Sequence, residues 1–114
     1  MMLPDPSIAR EPGNKVVVFV HRLKEGLSAE QIADYRRMDD DTLAIAMGMD
    51  GYLGHECVSN EEGTVFMSYW RDDAAVAAWS RHPLHCEAKA KGQAEWYASY
   101  RTAICTVDQH HLHA

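Results

Sequence analysis

The stretch from Lys15 to Leu23, KVVVFVHRL, sets the tightest limit on what this chain can become. Its valines are β-branched, which crowds a helix and suits a pleated strand. Val16, Val18 and Val20 fall on one side of such a strand and Val17 and Phe19 on the other, with His21 on the side of Phe19. A strand apolar on both sides needs cover on both sides. One layer of helices supplies only one of those covers, so the second has to come from elsewhere.

The remaining segments read in order around that strand. Met1 to Asn14 carries Pro4, Pro6, Pro12 and Gly13, a density that removes backbone donors and predicts an extended arm, partly disordered or lying on a partner. Ser28 and Gln31 have capping-box spacing, and Ile32, Tyr35, Met38, Thr42, Ile45 and Met49 follow at helical steps, predicting about five turns of amphipathic helix. Asp39, Asp40 and Asp41 fan out by about 100° each on such a helix, so a solvated face is expected there rather than a metal site.

Glycines 48, 51 and 54 lead into a second strand, Tyr52 to Ser59, and Asn60 to Gly63 forms a hairpin loop. The third strand, Thr64 to Trp70, sets Val65, Met67 and Tyr69 against Phe66, Ser68 and Trp70. Asp72 or Asp73 caps the next helix, with Val76 and Trp79 on one stripe. Pro83 breaks it, pushing His82 out of helical geometry and opening a second leg from Leu84 to Gly92. A fourth strand runs from about Tyr97 to Asp108. Strand, helix, strand, strand, helix, strand is the ferredoxin-like βαββαβ order, an α+β fold with a four-stranded antiparallel sheet and two helices on one face. Residues 1–14 form the arm, 15–108 the domain and 109–114 a histidine-rich tail whose His110, His111 and His113 bind metal only adventitiously. A second copy placed sheet against sheet covers the face the helices leave bare.

Seventeen acidic residues against 11 basic ones give a net charge of −6, which opposes nucleic acid or an anionic membrane as partner. The longest apolar run, Val16 to Val20, is far short of the roughly 20 residues a membrane span needs, and Met1 to Arg10 has no apolar core of the signal-peptide kind, so a cytoplasmic protein is expected. Cys57, Cys86 and Cys105 include no CxxC pair and read as reduced thiols packed as small hydrophobes.

From about Lys15 to Asp108 the chain resembles the antibiotic biosynthesis monooxygenase family of dimeric α/β barrels. The most specific part is VFMSYWRDDAAVAAWSRHPLHCEAKAKGQAEWYASYR: the aromatic closing strand three, Trp79, the HPLH kink, Gly92 and the pair Trp96-Tyr97. The resemblance implies a homodimer formed through the sheet face and a small-molecule ligand in a cavity. It also implies a monooxygenase-like activity on a small aromatic or quinol-type molecule, with molecular oxygen as co-substrate and no cofactor. The alternatives are a ligand- or haem-binding barrel without turnover and a structural dimer whose cavity its own side chains fill. A haem-degrading branch of the family has an Asn in strand one, a helix Trp and a haem-ligating His ten residues beyond it. Here Trp79 matches, but His21 stands nearest the Asn and Lys89 replaces the His, which disfavours haem.

Cofactor-free oxygenation asks the protein to take a proton from a phenol-like substrate, stabilise the anion and keep it dry beside oxygen. A histidine of near-neutral pKa suits the base, while Trp, Tyr and Arg supply packing, hydrogen bonds and charge. His21, Tyr69, Trp79, His82, His85 and Arg101 are the candidates. Plainer roles compete. A helix-stripe tryptophan is usually core, a histidine before proline can hold the kink through a backbone hydrogen bond, and HxxH across a proline lacks the three or four ligands of a zinc site.

Overall fold

The computed structural model describes residues 2–8 and 10–113 of the 114. Strand β1, Lys15–Leu23, lies inside a four-stranded sheet of order β2-β3-β1-β4, with β2 at Tyr52–Asn60, β3 at Gly63–Trp70 and β4 at Tyr97–Thr106. Every pairing is antiparallel. Phe19 stands opposite Phe66 on β3 and Thr102 on β4, and His21 opposite Thr64 and Tyr100. Both edges of β1 are therefore hydrogen-bonded, the position where an unbroken β-branched run fits best.

Helix α1, Ala29–Met47, starts in the expected capping box: Gln31 N donates to Ser28 Oγ at 3.1 Å, and Ser28 N donates to Gln31 Oε1 at 2.9 Å. It stops at Met47, so Met49 packs from the following turn instead of from the helix. Helix α2, Asp73–Arg81, is capped by Asp72, whose Oδ1 accepts from Ala75 N at 2.9 Å. His82 then takes an extended conformation, φ −61° and ψ 130°, and Pro83 is the first residue of α3, Pro83–Lys91, because the proline ring forbids α geometry to the residue before it. A π turn over Gly92–Trp96, which the sequence pattern does not announce, delivers the chain to β4.

The core sits where β3 ends. Trp70 is fully buried among Ala46, Ala75 and Val76, with Val17, Tyr52 and Trp79 packed against it. Its indole N–H donates to Ser68 Oγ at 3.0 Å, so no polar atom of that ring is left unpaired.

The outer face of the sheet carries the arm. Ile8 is buried over Gly54, where a β-carbon would lie 2.7 Å from Ile8 Cγ1. Glu56 accepts from Asp5 N at 2.8 Å, from the Tyr69 hydroxyl at 2.7 Å and from Arg10, and the Arg10 guanidinium sits 4.1 Å over the Tyr69 ring. The expectation of an arm that is disordered or lying on a partner is thus replaced by one that turns back on its own sheet, held by a buried carboxylate. It covers only part of that face, since Val58 and Val65 remain exposed. The thiols also depart from expectation, with Cys86 and Cys105 exposed and Cys57 half-buried. No helix among the described residues is long and apolar enough to cross a membrane.

Candidate functional site

Between the sheet and the layer of α1 and α3 lies a cavity of about 570 Å³. Phe19, His21, Phe66 and Ser68 contribute to its floor, Tyr35, Met38 and Leu43 line it from α1, and His85, Ala88 and Lys89 from α3. It opens over β4, whose inward-facing Tyr100 and Ile104 stay 42% and 57% exposed because the helices leave that strand uncovered.

At one end the His85 ring lies on Trp79, centroids 4.3 Å apart and 11° from parallel. His85 Nδ1 is 3.1 Å from the carbonyl oxygen of Trp79. A carbonyl only accepts, so Nδ1 carries the proton and Nε2 is left as a bare lone pair. Nε2 has no protein partner among the described residues and is not sealed from solvent. Burial holds the imidazole below its ordinary pKa, against the pull of the Trp79 carbonyl, and the nearby Lys89 and His82 push the same way. Position 85 therefore presents a neutral imidazole with an open acceptor nitrogen.

At the other end His21 is buried between Phe19, stacked at 4.5 Å, and Tyr97 at 5.0 Å. Its Nε2 is 3.2 Å from the Tyr35 hydroxyl, while Nδ1 is buried with no partner. Desolvation lowers its pKa and keeps the ring neutral. Tyr35 is pushed up to about 12, by burial first and then by the Asp39 carboxylate. Asp39 itself rims the cavity, its carboxyl raised by desolvation and by the neighbouring Asp40.

Of the six residues singled out from sequence, the cavity brings together three: His21, Trp79 and His85. His82 lies outside its lining and holds the kink, Nδ1 accepting from Leu84 N at 3.2 Å. Tyr69 and Arg101 stand on the other side of the sheet. Tyr69 is tied to Glu56 and Arg10, its hydroxyl pushed up to about 12 by burial and by the Glu56 hydrogen bond. Arg101 is exposed opposite Val20. Tyr35, Asp39 and Tyr97 also belong to the cavity, although in the sequence Tyr35 on a helical stripe reads as core, Asp39 in an acidic run reads as solvated, and Tyr97 reads only as a mark of the family. Among the described residues no three His, Cys, Asp or Glu side chains converge in the manner of a metal site. Lys89, ten residues past Trp79 where the haem-degrading pattern has its histidine, is part of the cavity wall.

Comparison with known proteins bears on the fold and the family. The chain is 30% identical over 103 residues to the uncharacterized protein YqjZ of Bacillus subtilis (strain 168), spanning 90% of this chain and 86% of that protein. Among solved structures it is similar to SnoaB, a cofactor-independent oxygenase from Streptomyces nogalater, with a TM-score of 0.67 at 15% identity over 86% of this chain and 96% of that one. It is also similar to a dimeric protein of unknown function and ferredoxin-like fold from Bacteroides fragilis, with a TM-score of 0.64 at 15% identity over 83% and 97% of the two chains. Likeness at such identities is likeness of fold. The family model described as antibiotic biosynthesis monooxygenase matches residues 14–91, well over half of the chain and every element from β1 to α3, and the chain belongs to that family.

Proposed function

We propose that the protein is a cofactor-independent monooxygenase-like enzyme that oxidises a small aromatic or quinol-type molecule bound between the sheet and the helices. One observation carries this reading: His85, fixed by the Trp79 carbonyl with Nε2 bare, opens into an aromatic-lined cavity. A phenolic O–H placed there gives its proton to Nε2, and the phenolate left behind is electron-rich enough to reduce oxygen. Overall the substrate loses two hydrogens, one oxygen atom of O₂ enters its ring carbon, and the other leaves as water. The aromatic walls hold the ring in place against the base. His85 is assigned the proton transfer, Trp79 its positioning and His21 a part of the wall at the other end of the cavity; Tyr69, His82 and Arg101 are assigned no part.

The active form is a homodimer joined through the outer sheet face. The exposed Val58 and Val65 beside the arm support it, as does the dimeric description of the Bacteroides fragilis neighbour. A reducing, cytoplasmic setting agrees with three free thiols. A non-catalytic ligand-binding barrel would use the same cavity, and oxygen uptake separates the two: a phenol or quinol that binds without protein-dependent uptake favours the binding protein.

A further inference from the structure

Neither ring nitrogen of His21 is free to bond a ligand. Its Nε2 is engaged with the Tyr35 hydroxyl and its Nδ1 is sealed inside the protein without a partner. The two neutral tautomers therefore differ in what they bury. With the proton on Nδ1, an N–H donor would be left with nothing to donate to, and such orphaned donors are rarer than orphaned lone pairs. With the proton on Nε2, the ring donates to Tyr35 Oη and only a lone pair is left over. In that tautomer Tyr35 is an acceptor toward His21, and its own O–H has no protein partner among the described residues.

Tyr35 lines the cavity. Its ring is wedged edge-on against Trp96, centroids 5.4 Å apart, and against Tyr97 at 6.3 Å, which leaves the hydroxyl little freedom to seek another partner. We infer that Tyr35, oriented by His21, donates its hydroxyl hydrogen to an oxygen of the bound substrate, so that the ligand class is an aromatic compound carrying a carbonyl or phenolate oxygen at the Tyr35 end. This rests on the cavity being a substrate site. The raised pKa of Tyr35 keeps its proton in place across neutral pH, as a donor requires. His85 and Tyr35 then have opposite tasks at the two ends of one ligand: His85 Nε2 offers a lone pair and Tyr35 offers a proton.

The division of labour gives a test that needs no turnover. α-Tetralone has a ring-bound carbonyl and no acidic hydrogen bond donor, while tetralin has the same ring system without the oxygen. A carbonyl can accept from Tyr35 but not from a bare His85 nitrogen. Calorimetric titration of the full-length protein is expected to show α-tetralone preferred over tetralin, and Tyr35→Phe is expected to weaken α-tetralone about tenfold, as loss of one buried hydrogen bond does, with tetralin within about twofold of its wild-type value. His85→Ala keeps the preference for the ketone. His21→Val, which removes the anchor but leaves the hydroxyl, gives a partial loss. An α-tetralone preference that survives Tyr35→Phe overturns the inference, as does failure of both compounds to bind the wild-type protein. Loss of the preference in Tyr35→Phe together with no oxygen uptake on any phenol leaves the inference standing and removes the oxygenase reading. His85-dependent uptake with the preference intact in Tyr35→Phe does the reverse.

Discussion

The His85 imidazole lies flat on the Trp79 indole and is tied to the same residue's carbonyl oxygen through Nδ1. One residue thus fixes both the plane and the tautomer of the other, across the kink that Pro83 imposes. Replacing His85 by Ala is expected to lower oxygen uptake about a hundredfold or more, the usual loss on removing a general base. Trp79→Phe keeps the carbonyl and loses only part of the stack, so a severalfold loss is expected. On the proposed assignment the neutral ring is the base, and burial lowers its pKa, so kcat/KM should stay high below the ordinary histidine value of about 6.5 and fall only in more acidic solution. A profile that turns down above pH 7 on the acid side would contradict this assignment.

Gly92 sits in helical geometry, φ −59°, where helix propensity alone predicts that Ala is better by about 1 kcal/mol. A β-carbon there runs into the Tyr97 ring, and overpacking of this kind costs about 1 to 3 kcal/mol. The steric effect outweighs propensity. Gly92→Ala should lower the Tm and, by displacing Tyr97 from His21, weaken ligand binding at the Tyr35 end. An unchanged or raised Tm would show that the Tyr97 ring can move aside freely.

The arm is held by Glu56. Burial would raise its carboxyl, but the Asp5 amide, the Tyr69 hydroxyl and Arg10 more than offset this and hold it below the usual carboxylate range. Its contribution is therefore complete above the unfolded value near 4.5 and lost as pH falls through the lower folded value. Glu56→Ala leaves the arm's Arg10 without its carboxylate, and an expected destabilisation of about 3 kcal/mol in urea follows from breaking a buried pair. Proteolysis within residues 1–13 should accelerate in that variant. A loss below about 1 kcal/mol would place the pair among ordinary surface bridges.

Association through the outer face predicts a light-scattering mass of twice the 12.8 kDa chain. Val65→Lys together with Val58→Lys, both at exposed positions on that face, should return it to the single-chain value, because two charges then have to be buried.

Most of the architecture is legible in local pattern. The Ser28 and Gln31 capping box, the Asp72 cap and the Pro83 break are short-range chemistry, and each stands where its residues put it. Alternation also separated Tyr69 from Phe66, Ser68 and Trp70, but it did not tell which face of β3 meets the helices, because β1 is apolar on both. Sequence alone therefore groups Tyr69 and Arg101 with residues that lie across the sheet from them. The arm was illegible for another reason: Ile8 and Arg10 reach their places by contacts with Gly54, Glu56 and Tyr69, more than 45 residues away, and nothing in the local sequence encodes those. Tyr35 is placed at the cavity by the fold, which sets it against His21.

Oxygen consumption measured with an electrode, over a panel of quinols and polyphenols, decides whether the protein is an oxygenase. Protein-dependent uptake is expected with at least one of them, stoichiometric with a quinone-type product, unaffected by a chelator, and lost in His85→Ala. No uptake above the protein-free rate across the panel, or uptake that His85→Ala and Trp79→Phe leave unchanged, would contradict it.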